Sequence, residues 1–195
     1  MKTLIDYYDD YAKNWADKWY KDESVLPYLK QFVELLPQKA RVLDLCCGAG
    51  YESMRLNKLG INVVGVDLSK ESIILAREYN PTIQFHVKDM LKSYKDLGSF
   101  DGIACVAGLV HIPENKLELA FKNMSEVLKE NGFLFVVVKD GEKIVKSIEV
   151  DGQEYAREFY CYTFEKLNKH AEKYFSFVKE LKSNEDWRYY IFKKR

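Results

Sequence analysis

The residues best suited to chemistry lie in one short run, Asp44-Leu45-Cys46-Cys47-Gly48-Ala49-Gly50, and in two acids downstream, Asp67 and Asp89. Gly48 and Gly50 permit backbone angles closed to other residues and a close approach of main chain to a ligand. A helix opening behind them would point free N–H groups into the same space. Such a turn alone serves any nucleotide. Asp67 follows the apolar run Val63-Val64-Gly65-Val66. A carboxylate there accepts from both hydroxyls of a ribose diol. Asp89 follows a second such run, and a carboxylate there accepts a proton from an adenine amino group. His111 has an ordinary pKa near neutrality and is the candidate general base.

These groups act together only if the fold brings them to one edge. Apolar runs predict strands over 41–45, 62–67, 83–87, 100–106 and 133–138, the last apolar throughout as a strand covered on both faces should be. Helices are expected between them: 51–59, closed by Gly60; one capped by Ser69 and running through Ile73, Ile74 and Ala76 until Pro81; and one from Pro113 to Asn131-Gly132, with Leu117, Ala120, Phe121, Met124, Val127 and Leu128 on one face. This β-α alternation implies a parallel sheet with helices on both sides. In such a sheet the ligand crevice lies beyond the carboxyl ends of the strands, so Asp44, Asp67 and Asp89 should converge there.

Ahead of this core, Leu4, Tyr8, Tyr11, Ala12, Trp15 and Trp19 form one aromatic helical face. A second helix is expected over 24–36 with Ser24 as N-cap and Pro27 in its first turn. Behind the core, Asp151-Gly152 is a hairpin turn between 144–150 and 154–160, and Thr163 caps a helix through Phe164, Leu167 and Ala171. Two β-rich runs, 174–180 and 187–192, close the chain as a hairpin around Asn184-Glu185-Asp186. No internal repeat or linker stands out. We therefore expect one domain over 1–195, divided into an N-terminal helical cap (1–38), a ligand-binding core (39–139) and a C-terminal acceptor-side, sheet-closing segment (140–195).

Composition narrows the function. The 195 residues carry 30 Lys+Arg against 30 Asp+Glu, which argues against a dedicated nucleic-acid binder with its basic face. No apolar run approaches the ~20 residues that span a bilayer, and the opening Met1-Lys2-Thr3-Leu4-Ile5-Asp6-Tyr7 does not read as a signal peptide. Cys46, Cys47, Cys105 and Cys161 form no C-x-x-C pair, the histidines show no zinc spacing, and no metal is expected. Reduced thiols fit a cytoplasmic protein.

In order and spacing the chain resembles the class I S-adenosylmethionine-dependent methyltransferases. Val42 to Gly50 looks like their first motif. VVGVDLS, from Val63 to Ser69, looks like the acidic motif after it, and His86-Val87-Lys88-Asp89-Met90 like the third-strand motif. FDGIACVAGLVHIPE from Phe100 and LKENGFLFVVVK from Leu128 match the later ones. The likeness is nearest to small-molecule methyltransferases of the type 11/12 group. Some of these carry a Ser-Leu-x-His-x-Pro run after strand four, where this chain has Gly108. The resemblance implies a Rossmann-like, seven-stranded, mostly parallel sheet with an antiparallel C-terminal strand. It also implies S-adenosyl-L-methionine as cofactor and a small-molecule methyl acceptor, with the protein a monomer or homodimer.

By the same likeness, Gly48, Gly50 and Cys46 of the turn approach the methionine portion and Asp44 orients it. Asp67 and Leu68 hold ribose and adenine, Asp89 and Met90 frame the adenine, and Val106 and Ala107 line the sulfonium. Tyr8, within Tyr8-Asp9-Asp10-Tyr11-Ala12, matches an N-terminal pattern that covers the cofactor, with Tyr11 beside it. Faces of Tyr8, Tyr11 or Trp15 would stabilise a cation, and Arg157 beside Tyr160 and Tyr162 is a candidate carboxylate clamp or a solvated hairpin residue. The main rival is a nicotinamide-dependent oxidoreductase. Its G-x-G-x-x-G fingerprint is incomplete here, since Ser53 stands where the third glycine belongs. The second rival is a non-catalytic sensor of the same fold.

Overall fold

The computed structural model describes residues 1–142, 144–181 and 186–195. Its centre is a seven-stranded sheet. Strands β1 (Arg41–Leu45), β2 (Asn62–Asp67), β3 (Gln84–Val87), β4 (Phe100–Val106) and β5 (Leu128–Lys139) run parallel. The chain closes with β10 (Phe175–Leu181) and β11 (Trp187–Lys194), and β11 inserts antiparallel between β5 and β10. The spatial order is β10-β11-β5-β4-β1-β2-β3. The fold class expected from the sequence is the one observed.

Strand periodicity explains the layering. Leu43, Leu45, Val64, Val66, Ile103, Cys105, Leu134 and Val136 point into one core. Val42, Val63, Ala104, Phe135 and Val137, the alternate residues, point into the other. The first core is covered by α6 (Glu114–Val127) and α7 (Phe164–Ala171). The second is covered by α3 (Leu26–Val33), α4 (Tyr51–Lys58) and α5 (Lys70–Tyr79). Each face removes a row of apolar side chains from water at roughly 25 cal/mol per Å².

Several local expectations need correction. The aromatic N-terminal face is broken at Tyr11 (φ −109°, ψ 15°) into α1 (Leu4–Asp10) and α2 (Ala12–Trp19). The break lets α1 turn its acidic side toward the start of α5. Ser24 does not cap α3, whose N-cap is Val25 without a side-chain bond; Pro27 does sit in its first turn. Helix α6 ends at Val127 rather than at Asn131-Gly132. Leu128 already pairs with Phe100, and the register shifts before Gly102 meets Phe133, so Asn131 (φ 64°) lies in a bulge within β5.

The C-terminal excursion is built from β7 (Ile148–Val150) and β8 (Gln153–Tyr155), a hairpin turned by Asp151 (φ 52°) and Gly152 (φ 75°). Beside it, β6 (Ile144–Val145) pairs with β9 (Phe159–Tyr160). Asn184 and Glu185, expected in the last turn, lie outside the described residues. No described helix is long and apolar enough to cross a membrane.

Candidate functional site

Strand order reverses at β1. The chain fills β2 and β3 on one side before crossing to β4 and β5 on the other, which opens a crevice beyond the ends of β1 and β4. The backbone there is held in left-handed conformations: Cys46 (φ 63°), Gly48 (φ 52°), Gly50 (φ 83°) and Ala107 (φ 54°). For Cys46 and Ala107 this is uncommon and concentrates strain at the crevice. Gly50 is required twice over, since a Cβ would lie 2.8 Å from Phe85 Cζ.

The carboxylates divide by role. Asp67 accepts the Gly48 N–H at 2.8 Å and the Ser69 N–H at 2.9 Å, so it ties the end of β2 to the glycine turn. Burial raises its pKa, opposed by those amide bonds. Asp44 is 1% exposed and accepts from Ser53 Oγ at 2.5 Å. Burial, with the Ser53 bond opposing, lifts its pKa to about 7. It lies under the turn, not on its open side. Asp89 accepts from the Leu91 N–H at 2.9 Å.

Around them, Leu68 is 41% exposed next to Asp67, while Met90 is buried in the α6-side core. Val106 and Ala107 end β4, and the Ala107 N–H donates to Val137 O at 3.0 Å. Gly108 packs against two thiols. A Cβ there would approach Cys46 Sγ at 2.8 Å and Cys105 Sγ at 2.9 Å, so a serine would not fit this crevice without rearrangement.

The N-terminal helices roof the crevice, held by contacts without any local sequence signal. Asp9 accepts from Ser69 Oγ at 2.6 Å and from the Glu71 N–H at 3.3 Å, adding a second acceptor at the start of α5. Tyr20 donates to Ala49 O at 2.8 Å within the glycine turn. Arg55 pairs with Glu52 at 2.9 Å in a buried ion pair and also donates to Trp19 O (2.6 Å) and Asp22 O. Tyr51, directly after Gly50, is half-buried beneath this roof with Asp67 and Tyr8 near it.

Tyr8 and His111 meet in this roof. Their Oη···Nε2 distance is 2.7 Å. His111 Nδ1 lies 2.9 Å from Glu158 O, a group that only accepts. Nδ1 therefore carries the proton, Nε2 is an acceptor, and Tyr8 is the donor. Burial lowers the His111 pKa to about 4. This corrects the near-neutral value expected from the sequence: the imidazole stays neutral because its charged form is poorly solvated. Tyr11 is not in this group; its hydroxyl donates to Asp151 Oδ2 at 2.9 Å on the outer hairpin. The structure thus brings Tyr8, Tyr51, Asp67, Gly48 and Gly50 around one turn, joins His111 to them through Tyr8, and leaves Tyr11 at the rim.

Residues 42–132 match a family model described as a methyltransferase domain. The fold is that of the class I methyltransferases. Among curated proteins, the chain is 35% identical over 116 residues to the putative methyltransferase YqeM of Bacillus subtilis, covering 57% of this chain and 47% of that one. It is 32% identical over 126 residues to the ubiquinone biosynthesis O-methyltransferase of Xanthomonas axonopodis pv. citri, covering 62% and 52%. The chain therefore spans about half the length of the curated relatives it matches. Among solved structures, PH0226 from Pyrococcus horikoshii superposes with a TM-score of 0.76 at 24% identity, covering 89% of each chain. The CcbJ methyltransferase of Streptomyces caelestis gives 0.77 at 13% identity, covering 99% and 98%.

Proposed function

We propose that the protein binds S-adenosyl-L-methionine in the crevice beyond β1 and β4 and transfers its methyl group to a small-molecule acceptor. The observation that carries this reading is the turn itself. Left-handed glycines at 48 and 50 stand beside a carboxylate at the end of β2, at the point where strand order reverses. The site fits the cofactor: Asp67 for a diol, Asp89 and Leu68 beside it for adenine, and Gly48, Gly50 and Cys46 toward the amino-acid portion, with Asp44 orienting that turn from beneath through Ser53. Val106 and Ala107 line the sulfonium side, and Tyr8 covers it.

The cofactor, when bound, supplies a methyl already activated for in-line displacement, so the protein contributes alignment and exclusion of water. The roof made by α1 and α2 excludes water. Neutral His111 takes a proton at Nε2, and Tyr8 relays one to it from an acceptor on its open side. The Tyr8 and Trp15 rings lie 6.4 Å apart in the roof, and their faces would stabilise a cation bound beneath them.

We further assign 1–38 as cap, 39–139 as cofactor core and 140–195 as acceptor side. We place the protein in the cytoplasm as a monomer or homodimer without nucleic-acid or membrane partners. The free Cys46, Cys47 and Cys105 suit a reducing compartment. Titration calorimetry with S-adenosylhomocysteine and with NADH tests the core of this reading. We expect binding of the first and none of the second; binding of NADH alone would overturn it.

A further inference from the structure

Arg157 is a half-buried cation set among aromatic rings. It follows β8 and reaches back toward the N-terminal roof, where its guanidinium lies 5.2 Å from the Tyr7 ring centroid and 5.2 Å from that of Phe159. Among the described residues it makes no ion pair with a carboxylate. Its Nη2 is 3.5 Å from the Tyr8 hydroxyl, a long and weak contact, and among the described residues its buried Nε has no hydrogen-bond partner.

Nε and Nη2 form one edge of the planar guanidinium, the fork that a carboxylate accepts from bidentately. That edge faces Tyr8, and through Tyr8 it faces His111. A second such donor lies on the same roof: among the described residues buried Trp15 Nε1 has no hydrogen-bond partner, and the Trp15 ring is 6.2 Å from Tyr7 and 6.4 Å from Tyr8. A cavity of about 190 Å³ lies on the outer side of Trp15 and Tyr7, lined also by Tyr11, Asn14 and Lys18 and not by Arg157 or Tyr8. Buried donors are normally satisfied, and an incoming carboxylate would satisfy Arg157 Nε.

We propose that Arg157 binds a carboxylate of the methyl acceptor, so that the acceptor is a small-molecule carboxylic acid held beside Tyr8 and His111. This rests on the cofactor reading above and adds the substrate class. The Tyr7 and Phe159 rings beside the guanidinium restrict its movement. The pairing would also discriminate against neutral analogues, because a primary amide supplies only one acceptor oxygen and no charge.

The test uses the full chain saturated with S-adenosylhomocysteine and ligand-observed NMR. The probes are aliphatic and aromatic carboxylic acids, each matched with its primary amide. We expect acids to bind at least about tenfold more tightly than their amides. Arg157→Met should abolish that preference and Arg157→Lys should weaken it less, while both leave the affinity for S-adenosylhomocysteine within about threefold. Equal binding of acids and amides by the unmodified protein, or no binding of either, would overturn the proposal even if Arg157→Met fails to fold. So would a tenfold loss of S-adenosylhomocysteine affinity in Arg157→Met with the acid preference intact, because Arg157 would then hold the cofactor's own carboxylate. Failure of the unmodified protein to bind S-adenosylhomocysteine would remove the cofactor reading and this inference together.

Discussion

Asp67→Ala separates the two roles of one carboxylate, building the turn and holding the ligand. In the folded protein this side chain accepts from Gly48 at 2.8 Å and from Ser69 at 2.9 Å. Substitution removes two charge-assisted hydrogen bonds, each contributing roughly 1.5–3 kcal/mol, and leaves two backbone donors without a partner. Two effects reduce the loss. Asp67 is only partly buried by surface, so water reaches part of the vacated space. Burial also disfavours its charged form, which is what raises its pKa.

A net destabilisation of about 2–4 kcal/mol follows. At roughly 2–4 °C per kcal/mol for a chain of this length, the melting temperature should fall by about 4–16 °C, with a folded protein remaining. Affinity for S-adenosylhomocysteine should drop at least about tenfold, or ~1.4 kcal/mol. Asp67→Asn keeps the shape and one acceptor, so it should lose about half as much stability and a similar share of affinity. Thermal denaturation and titration calorimetry read the two effects separately. A variant with unaltered melting and unaltered binding would refute both assignments. The sequence alone predicts the affinity loss in a domain that stays folded; the Gly48 and Ser69 bonds are the reason to expect a loss of stability as well.

Asp44→Asn tests the buried acid beneath the turn. The unfolded chain loses the Asp44 proton near its ordinary value, whereas the folded protein holds it to about 7. The folded state thus binds the extra proton between, and this group's contribution to stability falls as pH rises from about 4 to 7, by up to about 4 kcal/mol. Relative to the unmodified protein, the asparagine variant should gain stability steadily over that range in urea titrations; comparing the two cancels His111. The depressed His111 pKa works the other way, its contribution being lost as pH falls from about 6.5 toward 4. His111→Gln should flatten that acid limb. With an acceptor in hand, turnover should show no His111 inflection between pH 5.5 and 8. Tyr8→Phe and His111→Ala remove the same hydrogen bond, so each should slow turnover roughly 10²-fold and the pair little more; additive losses would separate their roles. Gly50→Ala, forced to φ 83° with its Cβ against Phe85, should lose about 1–3 kcal/mol by denaturant melts and should not bind S-adenosylhomocysteine.

What the sequence determined was whatever repeats along the chain. Period-two burial in β1, β2, β4 and β5 and the α6 face follow from local patterning, because each element must hide its own apolar row. The order of those elements then implies the sheet, its crevice, and the shared edge where Asp44, Asp67 and Gly48 stand. Residues whose partners sit far away in sequence were not legible in this way. The Tyr8–His111 bond spans 103 residues, and the Tyr8–Arg157 contact spans 149. No local pattern announces that Asp9 binds Ser69, that Tyr20 binds Ala49, or that Tyr11 turns outward to Asp151.

The ionisation states were hidden for the same reason. His111 has a near-neutral pKa as an isolated side chain, and Asp44 an ordinary acidic one. Burial moves the first down and the second up, because the cost of a charge depends on the solvent its neighbours exclude. Covalent order fixes which elements can form and which edge they share. Only three-dimensional packing decides how dry that edge is, which hydroxyl faces which imidazole, and which cation is set among aromatic rings.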